Sequence, residues 1–241
     1  MSTVCRSRSC RTLPVCDTMN IMKKAHLSKL AGRPLQDYLQ ENGYQLCPVA
    51  GSSTAPAAIR THADLYFCSL GERLFCGDPA RVGGVYPEDV CYNAACTGKY
   101  FIHNPKYTAP ELQEAAHKAG LQCIAVEQGY AGCSTLVVDP NAIITADRGI
   151  AAAAEQHGLD VLLIRRGHIL LPSYDYGFIG GAAGRLADRE GTSGTIVFNG
   201  NVAAHPDFRA MESFILHHDY SLKYFRSYPL TDIGGVIIES L

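Results

Sequence analysis

Residues 108–126 read TAPELQEAAHKAGLQCIAV, and this stretch decides the architecture. Thr108 stands where a helix cap is expected. Glu111 follows three residues later as in a capping box, and Leu112, Ala115, Ala116 and Ala119 recur on one helical face. Gly120 ends the helix at the position that favours positive φ, and LQCIAV follows at once as a buried strand. The spacing predicts helix, glycine stop, strand.

The same unit recurs on both sides. Asp147 caps a helix with Ile150, Ala153 and Ala154 inward, Gly158 stops it, and LDVLLI is its strand. Pro34 opens a helix carrying Leu35, Tyr38 and Leu39, stopped by Gly43 before YQLCPV. Pro206 opens another with Phe208, Met211 and Ile215, ending near His218 before SLKYF. Between the units lie paired apolar runs: ADLYFCSL with RLFC, AACT with KYFIHN, GFIGGAAG with GTIVFNG, and STLVVD with AIITAD across a Pro-Asn turn. The repeat is therefore strand, strand, helix, strand, about 40 residues long. Gly120 to Gly158 spans 38 residues and Gly43 to Gly120 spans 77, so a module starting at His62 carries a degraded helix. The chain begins with a helix and strand lacking leading strands and ends, at GGVIIES, with a strand pair lacking a helix. Joining the ends completes a fifth module and leaves no open sheet edge.

Composition bounds the function. Lys and Arg number 21 against 23 Asp and Glu in 241 residues, a net charge of −2, which indicates neither a nucleic-acid-binding polycation nor an acidic tail. The 23 glycines and 12 prolines are dispersed, so they mark turns in one domain and not a linker. Ten scattered cysteines suit reduced thiols in the cytoplasm. MSTVCRSRSCRTLPVC has no apolar h-region, and the expectation is a disordered segment over 1–20 before a single domain over 21–241. No apolar stretch reaches the roughly 18 residues of a membrane span.

Five such modules closed by both termini resemble the pentein fold of guanidino-group modifying enzymes, among them arginine and agmatine deiminases, amidinotransferases and dimethylarginine dimethylaminohydrolases. NAACTGKYFIHN at Asn93, EQGYAGCST at Glu127, AIITADRGI at Ala142, DYGFIGGAAG at Asp175 and LTDIGGVI at Leu230 are similar to an uncharacterised bacterial branch of it. The likeness runs from about Thr61 to the C-terminus. It implies an α/β fold, a pentein-like five-bladed α/β propeller of ββαβ modules with pseudo-fivefold symmetry. It also implies a central channel where a cysteine thiolate attacks a guanidinium carbon, a histidine moves protons and carboxylates hold the nitrogens. That cysteine follows a glycine-rich start of the last strand pair; here Asp232-Ile233-Gly234-Gly235 leads into Val236, Ile237 and Ile238, with no cysteine.

The module starts nonetheless supply His62 and Asp64, Asp89 and Asn93, Gln128, Tyr130 and Cys133, Asp175 and Tyr176, and Asp232. In a closed ring these converge on one site. Cys133 becomes the replacement nucleophile, its pKa expected low, with Cys96 as the alternative. His62 is the acid/base, and Asp64, Asp89, Asn93, Tyr130, Asp175, Tyr176 and Asp232 are the substrate contacts. The competing reading makes the acids partners of turn amides and Cys133 a small buried hydrophobe.

Other motifs carry less. The glycines of DYGFIGGAAG miss the G-x-G-x-x-G spacing, so close backbone packing is their simpler role. Cys91, Cys96 and His103, like Cys5, Cys10 and Cys16, lack paired zinc knuckles, and neither metal nor cofactor is assigned. Cys68, Cys76 and Cys123 read as core residues, and His217 and His218 as a solvated helix end. Two functions follow: an enzyme acting on a small guanidino or amidino cation, or an inactive pentein that binds a ligand or a protein. Neither calls for nucleic acid or membrane.

Overall fold

The computed structural model describes residues 23–71, 73–187 and 193–239. The segment expected to be disordered, 1–20, lies outside the described residues, as do Cys5, Cys10 and Cys16. In chain order the elements are β1 (Lys24–Ser28), α1 (Arg33–Glu41), β2 (Gln45–Val49), β3 (Phe67–Leu70), β4 (Arg73–Cys76), β5 (Ala95–Cys96), β6 (Tyr100–His103), α2 (Pro110–Lys118) and β7 (Gln122–Ala125). A single turn α3 (Ala131–Ser134) precedes β8 (Thr135–Asp139), β9 (Ala142–Thr145), α4 (Arg148–Gln156), β10 (Asp160–Leu163), β11 (Ala183–Ala187), β12 (Gly194–Phe198), α5 (Phe208–His217), β13 (Tyr220–Lys223) and β14 (Val236–Glu239). The architecture is mixed α/β with several small sheets.

Three units share one topology. β5, β8 and β11 each pair antiparallel with the next strand, and that second strand pairs parallel with the strand after the helix: β6 with β7, β9 with β10, β12 with β13. The chain ends build a fourth: β14 runs antiparallel to β1, Leu27 opposite Val236, and β1 runs parallel to β2. The sequence reading missed β1, whose KAHLS alternates buried and half-buried side chains only weakly, and expected two strands where β14 stands alone. β3 and β4 form a hairpin with neither helix nor third strand, and only short 3₁₀ turns follow it. The five first strands also touch in order: β3 meets β5, β5 meets β8, β8 meets β11, β11 meets β14, and β14 meets β3. Their inner residues, Cys68, Cys96, Leu136, Gly184 and Ile237 among them, line a cavity of about 810 Å³.

Local sequence explains each helix. α2 starts at Pro110, which needs no N–H partner in the first turn, so the cap falls on Ala109. The capping box expected of Thr108 and Glu111 does not form. Thr108 Oγ1 donates instead to Asn104 O at 2.9 Å, and Glu111 takes Arg81 and Tyr92. Asp147 does cap α4, its Oδ1 accepting from Ile150 N at 2.9 Å. Gly120 adopts φ 73°, as Gly43 and Gly158 do at 81° and 80°; after α5 the left-handed residue is Asp219 at 60°, an acid tolerated there for its short polar side chain. Each helix packs on its own unit: Leu35 and Leu39 with Leu27, Leu112 and Ala116 with Phe101, Ile150 and Ala154 with Ile143, Met211 and Ile215 with Phe198. Truncating one of these buried aliphatic side chains costs about 2–5 kcal/mol.

Cys68 is buried as expected, but Cys76 and Cys123 are exposed, because β4 and β7 turn those positions outward. His218 is no solvated helix end: its ring bridges Asp139 at 2.8 Å and Asp160 at 3.0 Å, tying α5 to the preceding unit. No helix among the described residues is long and apolar enough to cross a membrane.

Candidate active-site cavity

A second cavity, of about 230 Å³, opens among the loops before the first strands. His62, Cys133 and Asp232 line it, with Tyr130, Asp175 and Tyr176. Ile59, Leu65, Leu171, Tyr174 and Phe178 supply the rest of the wall, and none of these was singled out as a site residue from the sequence.

Cys133 sits in α3. Its N–H donates to Asn93 Oδ1 at 3.1 Å, and Asn93 Nδ2 reaches back to Sγ at 3.4 Å. The thiol donates to Asp64 Oδ2 at 2.6 Å, while Asp64 Oδ1, buried, has no partner among the described residues. Asp232 holds the loop opposite: its Oδ2 accepts from Phe178 N at 2.8 Å and its Oδ1 from Gly234 N at 2.9 Å. Gly234 takes φ 72° with its Cα against the His62 side chain, leaving no space for a Cβ. A Cβ at Gly177 or Gly181 would collide with Asp232, and one at Gly180 with the carbonyls of Gly132, Cys133 and Thr135. The glycines of DYGFIGGAAG thus serve close packing around the acid and the thiol.

The other expected residues divide by depth. Asp175 is exposed and Tyr176 half-buried at the mouth. Asp89 and Asn93 lie behind the wall: Asp89 Oδ2 accepts from the Tyr130 hydroxyl at 2.5 Å, and Asn93 orients Cys133. Gln128 Nε2 donates to Asp147 Oδ2 at 3.2 Å and its Oε1 accepts from Tyr130 N at 3.1 Å, so it shapes the loop. Asp64 stands behind Cys133 and lines the larger cavity, where Cys96 also faces. Tyr130 continues an aromatic row, 5.8 Å between centroids to Tyr86 and 6.1 Å to Phe178.

Burial governs the electrostatics. It lowers His62 to about 4, so the imidazole is neutral at pH 7. It raises Asp64 to about 6 against the hydrogen bonds from Cys133 and Asn93, and raises Asp232 to about 7 with help from the Asp64 charge. The Cys133 thiol is pushed well up by burial and then by Asp64 and Asp232, opposite to the low pKa expected of a free nucleophile, because both neighbours are acids. His62, with Nδ1 3.7 Å from Asp232 Oδ1, is the only basic side chain within 4 Å of either acid among the described residues, and being neutral it brings no positive charge. His62, Cys133 and Asp232 also form the only group among those residues whose ligand atoms gather as a metal would require; Cys91, Cys96 and His103 do not.

Residues 75–237 match a sequence family described as Family of unknown function (DUF6873). The chain belongs to that family. The DUF6873 match takes in Cys133 and Asp232 but begins after His62 and Asp64, so the site joins residues from inside and outside it. No curated protein and no solved structure matches this DUF6873 chain.

Proposed function

We propose that the chain is a pentein-like protein, five units around one axis, that holds a small guanidino, amidino or related cation in the 230 Å³ cavity. The cyclic order of contacts among β3, β5, β8, β11 and β14, and the unit built from both chain ends, support the arrangement. The observation that carries the ligand class is the buried carboxylate of Asp232 in the cavity wall, backed by that of Asp64 behind Cys133, with no arginine or lysine paired to either among the described residues. Buried charge demands a partner, and a guanidinium, which keeps its proton at neutral pH, answers that demand while stacking on Tyr130 and Phe178.

Turnover uses the same groups. The thiol proton passes to Asp64 as sulfur bonds to the guanidinium carbon, the departing nitrogen takes the proton of the Asp232 carboxyl, which lines the same cavity, and Asp64 returns its proton to sulfur when the product leaves. Neutral His62 then serves as base for the water that releases the product, a base and not an acid because burial keeps it unprotonated. A cation in the cavity lowers the thiol pKa that the two acids raise. A second reading, binding without turnover, is favoured by that same protonated resting thiol.

A thermal-shift panel of arginine, agmatine, methylated arginines and polyamines, run in chelator, tests the ligand class: saturable stabilisation that Asp232→Asn abolishes is expected, and no shift with the fold intact refutes it. Release of ammonia or urea by the wild type but not Cys133→Ser separates enzyme from binding protein.

A further inference from the structure

Cys133 Sγ, the His62 imidazole and an Asp232 oxygen lie within 4.8 Å of one another, and all three side chains are buried. Among the described residues no hydrogen bond holds the imidazole: its Nδ1 is 3.7 Å from Asp232 Oδ1, beyond hydrogen-bond reach. We propose that these three side chains form a tripod for one zinc-class divalent ion, with the fourth position open to the 230 Å³ cavity.

The geometry fits such an ion. A tetrahedron with metal–nitrogen and metal–oxygen bonds of about 2.0–2.1 Å has an N···O edge of about 3.3 Å, close to the separation of His62 and Asp232, and edges to sulfur of about 3.5 Å. The sulfur, no more than 4.8 Å from the other two ligand atoms, therefore has at most about 1.3 Å to travel. Sulfur and imidazole nitrogen select zinc-like ions over calcium or magnesium, which take oxygen. Charge also balances: one thiolate and one carboxylate neutralise the dication, leaving no net charge in the buried site. The proton released from Cys133 has an acceptor in Asp64 Oδ2, 2.6 Å from the sulfur, so loading converts ion, thiol and carboxylate into metal thiolate and carboxylic acid without redox change. The supporting contacts are in place, with Phe178 N and Gly234 N fixing Asp232 and Asn93 fixing Cys133. This ion goes beyond the organic cation proposed above and competes with it for Asp232.

Metal-free full-length protein titrated with Co²⁺ tests the tripod. One equivalent should bind, giving a thiolate-to-cobalt charge-transfer band and tetrahedral d–d absorption that Zn²⁺ displaces. Cys133→Ser and Asp232→Asn should each abolish the band, Asn93→Ala should weaken cobalt binding about 10–100-fold, and Cys96→Ser should leave the band unchanged. A band that survives Cys133→Ser, and so belongs to other thiols, overturns the proposal. In the wild type, where folding is not in question, Zn²⁺ should protect Cys133 from alkylation as mapped by mass spectrometry, and chelator should restore it. Equal labelling with and without Zn²⁺ also overturns it. Because the guanidino panel is read in chelator, failure of the metal site and failure of the organic-cation site are separate results.

Discussion

Replacing Asp64 by asparagine should make the protein more stable in alkali, relative to wild type, than it does in acid. The carboxyl is buried, its Oδ1 has no partner among the described residues, and its folded-state pKa is about 6 against 3.8 in the unfolded chain. The folded state therefore binds more protons between those values, so stability falls as pH rises through that window and the loss is complete above about 6. The loss amounts to about 3 kcal/mol, at 1.36 kcal/mol per pKa unit. Asparagine has no proton to lose. Its amide still accepts from Cys133, and any penalty from its unpaired NH₂ is the same at every pH. His62 works the other way, since its lowered pKa makes stability fall as pH drops from 6.5 toward 4, but it does so in both proteins and cancels. Urea unfolding of the two proteins at pH 4 and pH 8 reads the effect. The difference in unfolding free energy should move in favour of Asp64→Asn by about 2–3 kcal/mol between the two pH values, at unchanged m. Parallel pH profiles would refute the assignment of a buried, cation-free carboxyl, and with it the support that Asp64 lends to a cationic ligand.

Gly234→Ala meets both a left-handed φ and the His62 side chain; a loss of at least about 1–2 kcal/mol in chemical denaturation is expected, together with loss of ligand-induced stabilisation. Tyr130→Phe removes the hydroxyl that satisfies Asp89, whose other oxygen has no partner among the described residues, and should cost about 1–3 kcal/mol; an unchanged midpoint would show that water replaces the hydroxyl. Iodoacetamide at pH 7 should label exposed Cys76 and Cys123 well before Cys133 in the ligand-free protein, and fastest labelling at Cys133 would contradict its raised pKa.

The repeating unit was legible because its punctuation is chemical. Gly43, Gly120 and Gly158 stop three helices, and hydrophobic spacing marks both helix faces and strands. Where another residue fills the same role, reading fails: Asp219 takes the glycine's conformation after α5, and Pro110 moves a cap that Thr108 seemed to own. β1 was hidden because five residues with lysine, histidine and serine among them resemble a loop until the far end of the chain pairs with them. Of the site, the polar residues were legible as a set, since they fall at equivalent places in successive units. Their division into contact and support was not. Whether Asn93 and Asp89 face the cavity or brace Cys133 and Tyr130 depends on side-chain directions that one-dimensional spacing does not encode. The direction of the Cys133 pKa was missed for a related reason, as proximity to acids of other units outweighs any local feature of GYAGCST.

The pairing of β1 with β14 sets Lys24 opposite Glu239, so the sheet begun by β1 and β2 waits for residues 215 positions further on. During translation β1, α1 and β2 leave the ribosome with an open edge that stays uncovered until β14 has been made. Nascent chains arrested before Val236 should therefore be the protease-sensitive and self-associating species, and a circular permutant in which β14 directly precedes β1 should fold with a far shorter loop to close.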